Sequence, residues 1–340
     1  MPAKSFEAKP FKYETSVENY IFKVRGKDFL AEFTKGMLSH LERNGKTVLD
    51  CPIKLNLWRA HTDNDGIKGL FPRHIKEWTK RLIDKLYFNL YDISVDERSD
   101  RIVVQASGAL TADSLYGGFE CRIDYEIYEH GNILISINGT PYGSLPETLP
   151  RIGVALKLDK SFKECEWFGR GPRENYPDAK AAAPVGHYKL PIEDMNVLYD
   201  YPQETGNRGN TFLAVFEGDK DRRLSVIGSD EFSFSYHDFT IEDLEEATHK
   251  NELVRSKDAN YLYIDYRTRG LGSNSCGPDP EEKYELRPHS FEFSFVLSNA
   301  DVEEALELSR FDFGRKTQAL SETYVPEKIV KVRQISDCDI

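Results

Sequence analysis

The sequence has 340 residues, of which 39% are hydrophobic, so the chain can bury a large core. Its formal net charge of −12 argues against a nucleic-acid partner, and no apolar run approaches the roughly 18 residues that would span a membrane. The N-terminal segment lacks the apolar centre of a secretory signal and the five cysteines are scattered, so we expect reduced thiols in a cytoplasmic protein.

Alternating apolar and polar residues predict strands from the first part of the chain onward. The alternation is visible around Tyr20 to Val24, and Asn44-Gly45 within "ERNGKTVL" predicts a hairpin turn. A helix is predicted in "RHIKEWTKRLIDKLY", where apolar residues recur at helical spacing. The first segment of the chain therefore combines short strands with one helix.

The central and later segments continue the strand pattern. The clearest hairpin is "CRIDYEIYEHGNILISING", with its turn at His130, Gly131 and Asn132. Further strands are predicted in "TFLAVFEG", "RLSVIGS", "EFSFSYH", "YLYIDYR", "EKYELRP" and "SFEFSFVLS". A second helix is predicted in "NADVEEALELSR", with Asn299 as its N-cap.

Because strands do not alternate with helices, the sequence predicts an all-β protein rather than a parallel βαβ fold. We expect one large antiparallel β-sandwich with one or two short helices. In this interpretation residues 1–14 form a lead-in, residues 15–310 form the sandwich, and residues 311–340 form a tail.

Three loop-like stretches are unusually rich in polar, aromatic and glycine residues. They are "LWRAHTDNDG" at 57–66, "EWFGRGPRENYPD" at 166–178 with its continuation "YPQETGNRGNT" at 201–211, and "GLGSNSCGPDP" at 270–280. Polar loops on rigid strands are typical of binding sites. In the alternative interpretation Trp58 and Trp167 are core anchors, while Arg59 and Arg170 are surface residues or ion-pair partners.

The sequence shows no catalytic apparatus that is complete in this chain. "GRGPRE" lacks the third glycine of a dinucleotide fingerprint, and Pro172 removes a backbone donor. The histidines and cysteines form no spaced metal-binding set. We therefore assign no catalytic residue and no metal ligand.

The three stretches resemble signature segments of the C-terminal, small-chain domain of family 2 β-galactosidases, in the same order. The resemblance covers roughly residues 15–300 and implies a galactose mutarotase-like sandwich. It implies a β-galactosidase acting on terminal β-D-galactosides such as lactose, with the two catalytic glutamates on a barrel that this chain does not contain. The implied partners are that barrel-bearing large subunit or domain and the β-galactoside. No cofactor is implied for this chain, because the Mg and Na ions of the assembled enzyme would be held mainly by the barrel.

Individual residues can be carried over from this resemblance. The predicted substrate-binding residues are Asp63, Asn64, Asp65, Gly66, Asn274 and Cys276. The predicted structural residues are Trp58, Arg59, Trp167, Arg170, Glu174, Asn175 and Tyr176. Some relatives have a tryptophan platform for the outer sugar where this chain has Cys276, so we expect a weaker hold on that sugar. Two alternatives remain open: "DNDG" as a turn locked by side-chain hydrogen bonds, and Cys276 as a small buried residue.

Two other functions fit the same loops. A stand-alone carbohydrate-binding module would use them as a sugar cleft without chemistry. An aldose mutarotase would need an acid/base pair converging in a cleft, for which His187, His237 and His249 are the histidine candidates.

Overall fold

The computed structural model describes residues 4–5, 8–66, 73–113, 115–272 and 279–312. Within these ranges the chain is built mainly from strands, with three short α-helices. The strands are β1 Lys4–Ser5, β2 Glu14–Glu18, β3 Ile21–Arg25, β4 Phe29–Thr34, β5 Met37–Arg43, β6 Lys46–Leu49, β7 Lys54–Asn56, β8 Tyr87–Glu97, β9 Ile102–Thr111, β10 Gly117–Ile127, β11 Ile133–Gly143, β12 Arg151–Asp159, β13 Glu164–Arg170, β14 Val185–Pro191, β15 Arg208–Glu217, β16 Arg223–His237, β17 Ala259–Thr268, β18 Phe291–Ser298 and β19 Phe311–Asp312. The helices are α1 Arg73–Lys80, α2 Ile241–Glu246 and α3 Val302–Leu308. No helix in the described ranges is both long enough and apolar enough to cross a bilayer.

The strands form one large sheet, one small sheet and a separate pair in which β1 and β19 run parallel. The large sheet has 12 strands, with the path β14-β13-β15-β16-β18-β11-β10-β9-β8 and a branch through β17, β12 and β7. Its neighbouring strands are antiparallel. The small sheet is a five-stranded meander of β2 to β6. The prediction of an all-β antiparallel fold is therefore confirmed.

Local turn chemistry explains where the predicted hairpins form. Asn44 and Gly45 both take positive φ values, 50° and 72°, as the tight turn between β5 and β6 requires. Gly131, with φ of 71°, closes the predicted turn between β10 and β11. Both hairpins are found at the predicted positions.

Four local predictions were wrong. The first helix ends at Lys80, and Leu82 then adopts a left-handed φ of 52°, which an α-helix cannot continue through. "RLSVIGS" and "EFSFSYH" are halves of the single strand β16. "EKYELRP" contains a 3₁₀ turn at Glu282–Tyr284 instead of a strand. Asp301, not Asn299, caps α3 by accepting a hydrogen bond from the Glu304 amide.

A third helix, α2, escaped prediction. It has six residues, too few to show helical periodicity. The signal that marks it is a capping box, in which Thr240 and Asp243 each accept a hydrogen bond from the other's backbone amide.

The core joins the two sheets and supports the loops. Phe33 of β4 packs edge-on against Tyr125 of β10, with ring centroids 5.0 Å apart, so the small sheet covers a face of the large one. A second cluster gathers Trp58, Trp78 and Ile152 with apolar residues of α2. Trp58 precedes the "DNDG" turn in the sequence. This second cluster therefore packs beneath the predicted site loops and supports them.

Candidate functional site

The DNDG turn, residues 63–66, is held by its own side chains. Asp65 accepts hydrogen bonds from the Thr62 amide at 2.9 Å and the Thr62 hydroxyl at 2.8 Å. Arg59 donates to both carboxylate oxygens of Asp65, at 2.7 and 3.1 Å. Gly66 ends the turn with a left-handed φ of 112°. The turn is therefore a rigid unit, as in the alternative of a turn locked by side-chain hydrogen bonds.

A second arginine connects this turn to residues near the end of β17 and beyond it. Arg269 donates to Asp65 Oδ1 at 3.2 Å and to both oxygens of Glu285, at 2.6 and 2.8 Å. Arg59 and Arg269 also lie over the Trp78 ring, at 5.7 and 5.8 Å from its centroid. We call Arg59, Asp65, Arg269 and Glu285 the buried ionic cluster. It joins segments that are more than 200 residues apart, since Asp65 and Arg269 are separated by 204 positions.

The environment of Asp65 fixes its charge. Burial alone would raise the pKa of this carboxyl, but Arg59, Thr62 and Arg269 together hold it below its ordinary value. Asp65 has no exposed surface, and both of its oxygens are occupied within the chain. In this structure its contacts are internal, and its predicted contact with the sugar stays a prediction.

The exposed part of the turn is Asp63 with the half-buried Asn64. Asn64 donates to the Leu271 carbonyl at 2.9 Å, and the Asp63 amide donates to Gln203 at 3.3 Å. These bonds bring all three sequence stretches together at one place. A rigid loop that presents two polar residues beside other loops is suited to ligand contact.

Replacing Gly66 by Ala should strain the DNDG turn. A side chain at a φ of 112° is disfavoured, and an L-residue in the left-handed region costs about 1–2 kcal/mol. We expect the free energy of unfolding, measured by urea titration, to fall by about that amount. Gly66→Asn is the matched variant, since Asn tolerates this region better and should lose less. Equal stability of all three proteins would contradict the assignment.

Asp178 anchors the stem of the 270–280 loop. Its carboxylate accepts hydrogen bonds from the amides of Leu271 at 3.1 Å and Gly272 at 2.8 Å. The predicted contact residues Asn274 and Cys276 lie outside the described residues, so their contacts with substrate stay a prediction. Asp178 was not predicted, although it ends the "ENYPD" segment.

The "EWFGRGPRENYPD" stretch makes contacts inside the chain. Trp167 is fully buried and donates from its indole to the Arg170 carbonyl at 3.0 Å. Glu174 accepts from the Thr205 hydroxyl at 2.9 Å and the Gly206 amide at 2.7 Å. The remaining predicted structural residues have similar internal contacts: Arg170 donates to the Ala183 carbonyl, Asn175 accepts from the Gly209 amide, and Tyr176 is buried.

A second group of buried charges lies between β12, β17 and the 201–211 segment. Arg151 donates to Glu204 at 2.8 Å, and its other terminal nitrogen is 3.7 Å from Asp265. Burial raises the pKa of Asp265 to about 7 despite Arg151, and burial also raises the pKa of Glu204. This group was not predicted, because nothing local in the sequence pairs these three residues.

Glu245 of α2 contacts two side chains of the 57–66 stretch. Its Oε1 accepts from the Trp58 indole at 3.0 Å and lies 3.0 Å from His61 Nδ1. Burial raises the pKa of Glu245 to about 7. Trp58 is thus both a member of the core and a hydrogen-bond donor at the edge of the DNDG turn.

The candidate histidines do not form one acid/base site. His187 is exposed, stacks on Phe168 and lies 2.5 Å from Glu166. His237 is buried against Asn196, and burial lowers its pKa to about 3. His249 is exposed on the loop after α2. Within the described ranges no group of three or more His, Cys, Asp or Glu residues is placed to hold a metal ion.

Comparison with known proteins gives a consistent family match. A family model described as "Beta galactosidase small chain" matches residues 25–297. The chain is 32% identical over 295 residues to a β-galactosidase of Actinobacillus pleuropneumoniae, covering 86% of this chain and 27% of that protein. It is 31% identical over 280 residues to a β-galactosidase of Kluyveromyces lactis, covering 80% and 26%. The chain thus spans about a quarter of the length of these relatives.

Solved structures with similar shapes are much more distant in sequence. One is galactose 1-epimerase from Lactobacillus acidophilus NCFM, with 10% identity, a TM-score of 0.48, and coverage of 85% of this chain and 98% of that chain.

Proposed function

The chain belongs to the β-galactosidase small-chain family, and from this premise we propose that it forms one wall of a β-galactosidase active site. The catalytic glutamates would lie on a barrel-bearing large subunit or domain. The assembled enzyme would hydrolyse terminal β-D-galactosides such as lactose. We also propose a cytoplasmic location.

One observation carries this proposal: the three signature stretches meet around the exposed end of the DNDG turn. The buried ionic cluster holds the buried side of the DNDG turn in place. Asn64 connects the turn to the 270–280 loop. Preorganised polar groups of this kind can orient a substrate without doing bond-breaking chemistry. Asp63 and Asn64 would contact the galactoside.

The carboxylates of this site are unsuited to the reaction itself. Retaining hydrolysis needs two carboxyl groups about 5–5.5 Å apart across the glycosidic bond, one of them free to attack. Asp65 and Glu285 are instead bound to arginines, and Glu204 is bound to Arg151. This arrangement supports a partner that supplies both glutamates.

The loop at 270–280 would complete the outer part of the site. We propose that Asn274 and Cys276 face the outer sugar, with Cys276 in place of the aromatic platform of some relatives. A thiol offers less contact area than an indole, which favours a roomier and weaker outer subsite. The Mg and Na ions of an assembled enzyme are proposed to bind the partner.

Mixing with a family large chain tests the proposal. We expect no hydrolysis of a chromogenic galactoside by the purified chain or by the large chain alone, and hydrolysis by the mixture. A large chain lacking its nucleophilic glutamate serves as the control and should stay inactive when mixed. Lactose hydrolysis by the isolated chain would refute the proposal that a large chain supplies the catalytic glutamates.

A variant pair locates the contact within the assembled enzyme. Asn64→Ala should lower kcat/KM for the galactoside, because it removes a polar group from the exposed end of the DNDG turn. Glu193→Ala, on an exposed turn after β14, is the matched control and should leave kcat/KM near the parent value. Equal kcat/KM for Asn64→Ala and the parent would show that Asn64 does not contribute to the site. That result would leave the proposed complementation by a large chain intact.

A further inference from the structure

A short run of apolar side chains lies exposed in the loop between β14 and β15. Val197, Leu198 and Tyr199 follow one another in the sequence, and they are 45%, 44% and 37% exposed. Among the residues that the structure describes, every other exposed large apolar side chain stands alone in the sequence. Single exposed apolar residues are normal on a protein surface, whereas three in succession are uncommon unless they serve a contact. We call these three residues the apolar run.

Hydrogen bonds fix the backbone and one side chain of the apolar run. The Val197 amide donates to the Thr205 hydroxyl at 2.9 Å, which closes the loop 197–205. The Tyr199 hydroxyl donates to the Glu174 carboxylate. The apolar side chains are therefore presented in set positions, and a partner that binds them has little loop to order.

A charged pair borders the apolar run. The Lys250 ammonium donates to Asp200 Oδ1 at 2.8 Å, and the Lys250 amide donates to the Asp200 carbonyl at 3.2 Å. Both side chains are exposed. An apolar centre with a polar, exposed rim is the usual composition of a protein–protein interface, and tyrosine is enriched in such interfaces. The composition of this surface therefore favours a protein partner.

The apolar run lies close to the DNDG turn. Gln203, four residues after Tyr199, accepts a hydrogen bond from the Asp63 amide at 3.3 Å. Since an extended chain spans at most about 3.6 Å per residue, the Cα atoms of Tyr199 and Gln203 are no more than roughly 14 Å apart. A protein that packs against the exposed end of the DNDG turn can therefore also reach the apolar run.

The proposed function requires such a protein at this place. Asp63 and Asn64 are proposed to contact the galactoside, and the two glutamates that cleave it must flank the same glycosidic bond, about 5–5.5 Å apart. The large chain must therefore approach the DNDG turn to within the length of a bound sugar. The surface beside the turn must then face the large chain.

We propose that the apolar run is a docking contact for the barrel-bearing large chain, with Leu198 at its centre. This inference rests on the proposed function and names a surface through which the two chains meet beside the substrate. Apolar side chains of the large chain cover Val197, Leu198 and Tyr199, while Asp200 and Lys250 remain at the rim.

Titration of this chain into a family large chain tests the proposal. The rate of galactoside hydrolysis at a fixed amount of large chain gives the concentration of this chain at half-maximal activity and the plateau rate. Leu198→Asp places a charge in the apolar run and should raise the half-maximal concentration about tenfold or more, as expected for the loss of a central interface residue. The plateau rate should stay at the parent value, because the substitution weakens assembly and leaves the assembled site intact.

Two further variants control for charge and for position. Val17→Asp introduces the same charge at a residue of β2 that is 45% exposed, and it should leave both quantities at the parent values. Leu198→Ser adds no charge and should raise the half-maximal concentration less than Leu198→Asp does. Far-UV circular dichroism and thermal unfolding of each variant show whether it is folded.

Three results would overturn the proposal while leaving complementation intact. One is a parental half-maximal concentration for both folded Leu198 variants. Another is an equal rise in this concentration for Val17→Asp. The third is self-association of the isolated chain, measured by sedimentation, that Leu198→Asp abolishes without changing complementation, since this would assign the apolar run to a second copy of the chain. Absence of hydrolysis in the parent mixture would instead overturn the proposed function and this inference together.

Discussion

Asp65→Ala should lower the free energy of unfolding by about 3–5 kcal/mol, the usual effect of removing one partner from a buried ion pair. The change leaves Arg59 and Arg269 facing each other without the carboxylate between them, and both side chains are at most 1% exposed. It also removes the acceptor of the Thr62 amide and hydroxyl. Urea titration followed by tryptophan fluorescence measures the loss, since Trp78 lies against both arginines.

Two further variants test whether the loss of stability depends on the charge of Asp65 and on its buried position. Asp63→Ala changes the same residue type two positions earlier, at an exposed site, and should alter stability by no more than about 0.5 kcal/mol. Asp65→Asn keeps the shape and some hydrogen bonds, so its loss should lie between the other two. Similar stabilities of Asp65→Ala and Asp63→Ala would show that the ionic cluster does not hold the turn.

Asp265→Asn should stabilise the protein above neutral pH. Burial raises the pKa of Asp265 from 3.8 to about 7, so ionising it inside the fold is unfavourable. Because each pKa unit corresponds to about 1.4 kcal/mol, we expect a gain in the free energy of unfolding of about 2–4 kcal/mol at pH 8. Arg151 keeps its 2.8 Å bond to Glu204 in this variant, so its charge remains paired.

The change of stability with pH tests whether ionisation of Asp265 causes the gain. Between about pH 4 and pH 7 the folded state binds more protons at Asp265 than the unfolded state, so the free energy of unfolding of the parent falls as pH rises. The gain from Asp265→Asn should therefore grow over this range and vanish near pH 4. Asp230→Asn, on the exposed part of β16, is the control and should show no such trend. A pH-independent gain would contradict the ionisation argument.

The sequence was most informative where structure depends on neighbouring residues. The Asn44-Gly45 turn and the hairpin closed by Gly131 follow from the backbone freedom of those residues and from alternation on either side. The three polar stretches were identified as loops by their composition, and their role in a site stays a prediction. Helix α2 was missed because six residues cannot show a period, although its Thr240 and Asp243 cap was visible.

The buried charges could not be found from the sequence. Arg151 and Glu204 are 53 positions apart, and Asp65 and Arg269 are 204 positions apart. An acidic, arginine-containing chain offers many such pairs, and only the packing of β12, β17 and the loops selects the pairs that form. The same reason explains why the position of Asp65 between Arg59 and Arg269 could not be predicted from "DNDG".

The wide separation of Asp65 from Arg269 and Glu285 also bears on how the protein is made. The ribosome releases Arg59 and Asp65 long before their last partners are synthesised. Until the segment that carries Arg269 and Glu285 has emerged, the nascent chain must keep these charges in water. The buried ionic cluster is therefore completed only after the segment that carries Arg269 and Glu285 has been synthesised.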